Sequence, residues 1–244
     1  MQLLRLSQGA RFWEIDFLRG IAVILMIVFH FMFDLNFFVN YSFSLYSGTI
    51  FWIGRIAATL FLLLPGIALT LSFHNKKLEF KDFFLRGIKV FGLGLLITLI
   101  TFVLFPQGTI WFGILHLIGV SIILGYFFMQ RKKLSLAFGI LLILLGLFLS
   151  QFSFSFPWLL WLGFFPSNFY TFDYFPLLPW FGVFLLGIFL GNQFYANGKR
   201  SFKIKEMNDN FSIRLLSFFG RNSLLIYLIH QPILIIVLKL FVLK

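Results

Sequence analysis

The feature that most constrains this chain is the recurrence of predominantly apolar runs of about 20 residues, the length a helix needs to cross a hydrocarbon layer of roughly 30 Å. The sequence supplies such runs near 17–39, 50–73, 84–105, 111–129, 134–152, 177–195 and 223–242. Between the fifth and sixth, residues 153–176 are aromatic and interrupted by proline, too broken for a span and too apolar for an ordinary loop, which predicts a re-entrant or interfacial segment. Composition agrees: 60% of residues are hydrophobic and 11% charged, against about 25% charged in a typical soluble domain. The expected fold is an all-α integral membrane protein, about seven transmembrane helices and the one irregular segment, forming a single domain over 1–244.

The net charge of +12 does not signal nucleic acid, because the basic residues alternate with the loops. Arg5 and Arg11 precede the first span; Lys76, Lys77 and Lys81 separate the second from the third; Arg131, Lys132 and Lys133 separate the fourth from the fifth. Lys199, Arg200, Lys203, Lys205 and Arg214 fill the penultimate connection, whereas 40–49, 106–110 and 153–176 contain no Lys or Arg. By the positive-inside rule the basic set is cytoplasmic, so the N-terminus is expected inside and, after seven crossings, Lys244 outside. Glu14, Asp16 and Arg19 sit where a cleavable signal would carry only positive charge, so the first span is expected to be retained in the inner or cytoplasmic membrane. There is no cysteine, which removes disulfides, thiolate nucleophiles and Cys metal sites.

Ionisable groups at membrane depth are costly and call for a partner or a wet cavity. Arg19 and His30 lie within about 20° on one helical face, roughly 16 Å apart along the axis, and Asp34 follows about 40° round at i+4, where its carboxylate can orient the imidazole. A purely structural pairing of His30 with Asp34, or of Asp34 with Arg55, is the bland alternative. Arg55, Thr59, Gly66 and Thr70 form a polar stripe on the second span, expected to face something wet or charged. Gly87, Gly94, Thr98 and Thr101 form a small-residue stripe on the third, more suited to helix packing. His116 fits either a ligand-binding or a packed histidine. The last span groups Tyr227, His230 and Gln231, and Arg221 is expected in its first turn, with Pro232 kinking it. Arg19, Arg86, Lys89 and Arg221 thus gather at the inner mouth. Histidine and carboxylate spacing gives no sufficient ligand set, so no metal is expected.

Four blocks of sequence are familiar in combination: Glu14-Ile-Asp-Phe-Leu-Arg-Gly-Ile-Ala running on to His30 and Asp34; Gly113-Ile-Leu-His-Leu-Ile-Gly; Asp173-Tyr-Phe-Pro-Leu-Leu-Pro-Trp-Phe-Gly; and Gly220-Arg-Asn-Ser-Leu-Leu-Ile-Tyr-Leu-Ile-His-Gln-Pro. Together they resemble bacterial membrane proteins grouped with the heparan-α-glucosaminide N-acetyltransferase catalytic domain, over essentially the whole chain. The Arg-x10-His spacing of Arg19 and His30 also resembles the broader membrane sugar O-acyltransferases. The resemblance implies transfer of an acyl group, most often acetyl, from cytoplasmic acyl-coenzyme A to a carbohydrate at the opposite face. One departure matters: the lysosomal glucosamine enzyme aligns Asn with His30 and its histidine near Tyr41, so the glucosaminide substrate is not carried over.

On this reading His30 and Asp34 are catalytic, with His30 as general base or transient acyl carrier. Arg19, Arg86 and Arg221 bind the phosphates of acetyl-coenzyme A or another acyl-coenzyme A. Substrate or oxyanion contacts fall to Arg55, His116, Asp173, Tyr227, His230 and Gln231. The expected partners are the lipid bilayer, the acyl-coenzyme A and a carbohydrate or glycoconjugate acceptor, with a homo-oligomer left open. A proton-coupled transporter of a small polar solute is the competing class; no internal repeat accompanies it.

Overall fold

A computed structural model describes residues 12–76, 78–207 and 210–241. Of the basic residues singled out above, Arg5, Arg11 and Lys77 lie outside the described residues, as does Lys244. The described residues form eight α-helices and no strand: α1 Trp13–Val39, α2 Gly48–Lys76, α3 Phe80–Leu104, α4 Ile114–Gly125, α5 Lys132–Leu149, α6 Leu177–Phe194, α7 Phe211–Arg221 and α8 Ser223–Phe241. Six of them, α1, α2, α3, α5, α6 and α8, are long and apolar enough to cross a membrane. This is an all-α multi-pass membrane protein.

The fourth expected span is shorter than the sequence suggested. α4 has 12 residues and is extended by a three-residue 3-10 turn, Tyr126–Phe128. The apolar run begins at Trp111, but Trp111 and Phe112 are spent on a turn that pairs with a later segment, Phe112 bridging in parallel to Tyr174. A second departure is α7. The connection expected to be merely basic contains an 11-residue amphipathic helix, and Arg221 ends that helix instead of opening the last span. Asn210 starts it by accepting the Ile213 N–H through its side chain at 3.3 Å, a short polar residue capping the first turn.

The chain divides into two compact units, one of residues 65–203 and the other of 12–64 with 204–241; the division falls within α2, at Pro65. In the unit of 65–203, α3 packs on α4 and α5 on α6. Both contacts use glycine to bring backbones together: a Cβ on Gly87 would stand 2.6 Å from the Gly119 carbonyl, and one on Gly182 2.6 Å from the Gly139 carbonyl. Lipid tails give no hydrophobic drive between helices, so such close approach supplies the van der Waals and dipole contact that holds them. Gly66 and Thr70 of α2 are also packing positions: a Cβ on Gly66 would stand 2.5 Å from the Phe184 carbonyl, and one on Gly191 would collide with the Thr70 hydroxyl. The polar stripe expected to face something wet therefore splits: its inner half is buried against α6. The stripe of Gly87 and Gly94 on α3 is a packing face.

Residues 153–176 hold a 3-10 turn, Leu160–Leu162, and a bridge of Phe154 to Pro166, and pair with the 108–114 turn: Phe172 N–H donates to Gly108 O at 3.1 Å and Phe175 N–H to Phe112 O at 2.9 Å. Irregular backbone survives in an apolar setting when its polar groups are paired in this way. In the other unit α1 packs against α7 and α8. Gly20 lies under the Leu216 carbonyl and Gly220 under the Asp16 carbonyl, so α7 seats directly on the backbone of α1.

Candidate active site

His30 on α1 and His230 on α8, two hundred residues apart in sequence, meet edge to face with ring centroids 4.7 Å apart. Each ring is oriented by its own helix. The His30 Nδ1–H donates to Met26 O at 2.9 Å, and the His230 Nδ1–H to Tyr227 O at 2.6 Å. A neutral imidazole that donates from Nδ1 keeps Nε2 as an acceptor, so both rings are set to present a basic lone pair.

Asp34 does not orient His30. Its side chain is 1% exposed, and Oδ1 accepts from Gln231 Nε2 at 3.1 Å. The local i+4 rule brings the two residues to one face, but the His30 Nδ1 is taken by the carbonyl one turn back and the carboxylate is taken by α8. Three buried acceptors in this cluster have no donor: Asp34 Oδ2, His230 Nε2 and Gln231 Oε1. Buried polar atoms are nearly always paired, so a cluster of three acceptors marks a place suited to a donor-rich guest. Tyr227 closes the group, its ring 5.6 Å from His230 and 6.3 Å from Phe61. Arg55 is an exposed side chain with its guanidinium 5.0 Å over the Phe51 ring. Arg19 is paired with Asp16 at 3.6 Å, and Arg221 is exposed.

His116, Asp173 and Arg86 belong to the unit of 65–203. His116 is 2% exposed and has both nitrogens engaged: Nδ1 accepts from Gly113 N–H at 3.2 Å and Nε2 faces Thr98 Oγ1 at 3.3 Å, which in turn donates to Ile110 O at 2.6 Å. Phe91 and Phe112 cover its ring, and Gly94 of α3 gives it room. It is a packed histidine that caps α4. Asp173 does the companion work, its Oδ2 accepting the Ile114 N–H at 3.1 Å at the first residue of α4. Burial raises the Asp173 carboxyl to about 6, with the Ile114 N–H opposing the rise. These two residues, expected at the substrate, hold a helix terminus. Arg86 is half-buried on α3.

The His30–His230 contact and the Asp34–Gln231 bond were not foreseen as pairs; the only signal for them was that each partner is polar within an apolar run. Among the described residues no group of three or more His, Cys, Asp or Glu is placed to hold a metal ion.

Fold and site together define a multi-pass helical membrane protein in which a half-buried histidine of α1 meets a buried histidine of α8. The chain belongs to the family of the heparan-alpha-glucosaminide N-acetyltransferase catalytic domain, whose family model matches residues 11–232. That membership makes it a membrane enzyme of the acetyltransferase type. Comparison with curated proteins and comparison with solved structures each return no match.

Proposed function

We propose that this protein transfers an acyl group, most simply acetyl, from a cytoplasmic acyl-coenzyme A to a hydroxyl or amine of a carbohydrate or similar polar acceptor that reaches the site from the other face of the membrane. The observation that carries this reading is the His30–His230 pair, each ring fixed through Nδ1 so that Nε2 is the free base. Family membership supports the acetyl group, and Arg221, which has no carboxylate partner among the described residues, supports a phosphate-bearing donor.

The acceptor's O–H or N–H hydrogen-bonds to His30 Nε2. As its lone pair attacks the thioester carbonyl, the proton passes to Nε2, and the carbonyl π electrons move to oxygen in the tetrahedral intermediate. Collapse re-forms the carbonyl and breaks the C–S bond, and the departing thiolate recovers the proton from the His30 imidazolium. Asp34 Oδ2, Gln231 Oε1 and His230 Nε2, the buried acceptors, receive the remaining hydroxyl donors of the acceptor and set its orientation. Arg19 and Arg221, which belong to one unit, serve the phosphates of the coenzyme; the part expected of Arg86, in the unit of 65–203, is tested separately by Arg86→Gln. Arg55 and Tyr227 are assigned to the oxyanion, and the hydrogen bonds of His116 and Asp173 to the start of α4 place those two in the scaffold.

The test uses detergent-purified protein with radiolabelled acetyl-coenzyme A and a panel of sugar acceptors. Saturable binding and transfer in the wild type, with transfer lowered about 100-fold or more in His30→Ala and binding retained, is the expected result. Label that survives denaturation only when His30 is present adds an acyl-histidine intermediate. No binding by any form would replace this reading with proton-coupled transport.

A further inference from the structure

A cavity of about 410 Å³ opens where the first turn of α1 meets α7, lined by Trp13, Ile213, Arg214, Ser217 and Arg221. Four of these five side chains are hydrogen-bond donors and none is a carboxylate. Two of the donors are buried without a partner: the Trp13 Nε1–H and the Ser217 hydroxyl, on a side chain that is 4% exposed. A serine inside a helix ordinarily turns its hydroxyl back to a carbonyl of the previous turn, and a buried indole N–H ordinarily finds an acceptor. Neither does so here. Arg214 and Arg221 are seven residues apart on α7, hence within about 20° on one face and roughly 10 Å along the axis. Neither guanidinium is paired with a carboxylate among the described residues. Of the acids in the first turn of α1, neither Glu14 nor Asp16 lines the cavity, and Asp16 holds Arg19.

We infer that this cavity is a binding site for a phosphate ester. A phosphate group offers several strong acceptor oxygens and a charge that two guanidiniums match, and here it would satisfy the stranded indole and hydroxyl together. Two molecules carry that chemistry to a membrane protein. One is the coenzyme, a source that rests on the acyl-transfer reading. The other is the headgroup of an anionic phospholipid, to which α7 is also suited because Phe211, Leu215 and Phe218 are exposed beside its arginines, as on a helix lying in a membrane interface. The site itself stands on the cavity whichever source fills it.

The experiment measures equilibrium binding to the full chain in neutral detergent with two probes, coenzyme A and a short-chain phosphatidylglycerol, the latter compared with the matching phosphatidylcholine. Ser217→Ala and Trp13→Phe each remove one donor and should weaken binding about 3- to 10-fold, and Arg221→Gln about 10-fold or more. Lys239→Gln, an equal loss of charge at an exposed position on α8, should leave affinity unchanged. Size-exclusion elution reports folding, and Ser217→Ala, which deletes only a hydroxyl, keeps the test open if a larger change unfolds the protein. Weakening confined to coenzyme A assigns the donor; weakening confined to phosphatidylglycerol assigns the headgroup, and that outcome supports the site while counting against the placing of the coenzyme at Arg221. If the variants bind both probes as wild type does, or if wild type binds neither, the inference is overturned.

Discussion

At the scale of single residues, His30, His116 and His230 separate by what their nitrogens touch. His116 has both engaged, so His116→Ala strands the Gly113 N–H and opens a cavity between Phe91 and Phe112. The expected loss is about 2–4 kcal/mol of stability, seen as a lowered Tm, with the folded fraction keeping its KM. His30→Ala should do the reverse, keeping Tm within a few degrees while transfer collapses. Asp173 gives a pH signature. It titrates near 6 when folded against an ordinary 3.8, so its contribution to stability is fully present below about 4 and is lost as pH rises through 6. The wild type should therefore lose stability relative to Asp173→Asn as pH is raised from 4 to 7, by at most about 3 kcal/mol and visible as a falling Tm difference; a constant gap would reject the assignment. Of this residue chemistry, the sequence exposed which side chains were out of place in apolar runs but not whom they would meet. His30 and His230 are brought together by tertiary packing, and the i+4 proximity of His30 and Asp34 misled because each found a nearer or better-aimed partner.

At the scale of elements, glycine contacts fix which helices can touch. A methyl on Gly20 would run into the Leu216 carbonyl, a rigid backbone atom, so Gly20→Ala should lower stability by about 2 kcal/mol or more and loosen α7 from α1. Gly92, on the exposed side of α3 with nothing within 4 Å of its would-be Cβ, is the control: Gly92→Ala should leave stability unchanged or raise it by about 0.5–1 kcal/mol from helix propensity. Thermal unfolding in detergent reads both. The long helices were legible because span length and apolarity are local properties. α7 was not, since its charges read as a cytoplasmic connection; the Asn210 cap before an apolar stripe at 213, 216, 219 and 220 was the signal for a helix. The shortened α4 was missed for a different reason, that an apolar residue such as Phe112 reads the same in a span as in a turn.

At the scale of the whole molecule, the number of crossings turns on Ile114–Phe128, the apolar helix shorter than the other six. The basic residues Arg131, Lys132 and Lys133 on one side of it and the Lys- and Arg-free 106–110 turn on the other predict that it crosses, with 131–133 in the cytoplasm. Because the chain has no cysteine, single substitutions can be labelled without background. Lys133→Cys should resist a membrane-impermeant maleimide in intact cells and react after permeabilisation, whereas Gln107→Cys should react in both. Equal labelling of the two positions would remove α4 from the crossings and leave six.

The pairing of residues 108–114 with 172–175 has a consequence for how the chain is made. The N-terminus of α4 is held by a carboxylate at position 173, which is made 59 residues after the first residue of the helix it caps. Until then this short helix has only the cap from its own His116, and it is expected to stay beside the translocation machinery while α5 and the aromatic segment are synthesised. Biogenesis of this half of the protein is thus a delayed, concerted step, and a nascent chain halted before Asp173 should still be found against the insertion channel.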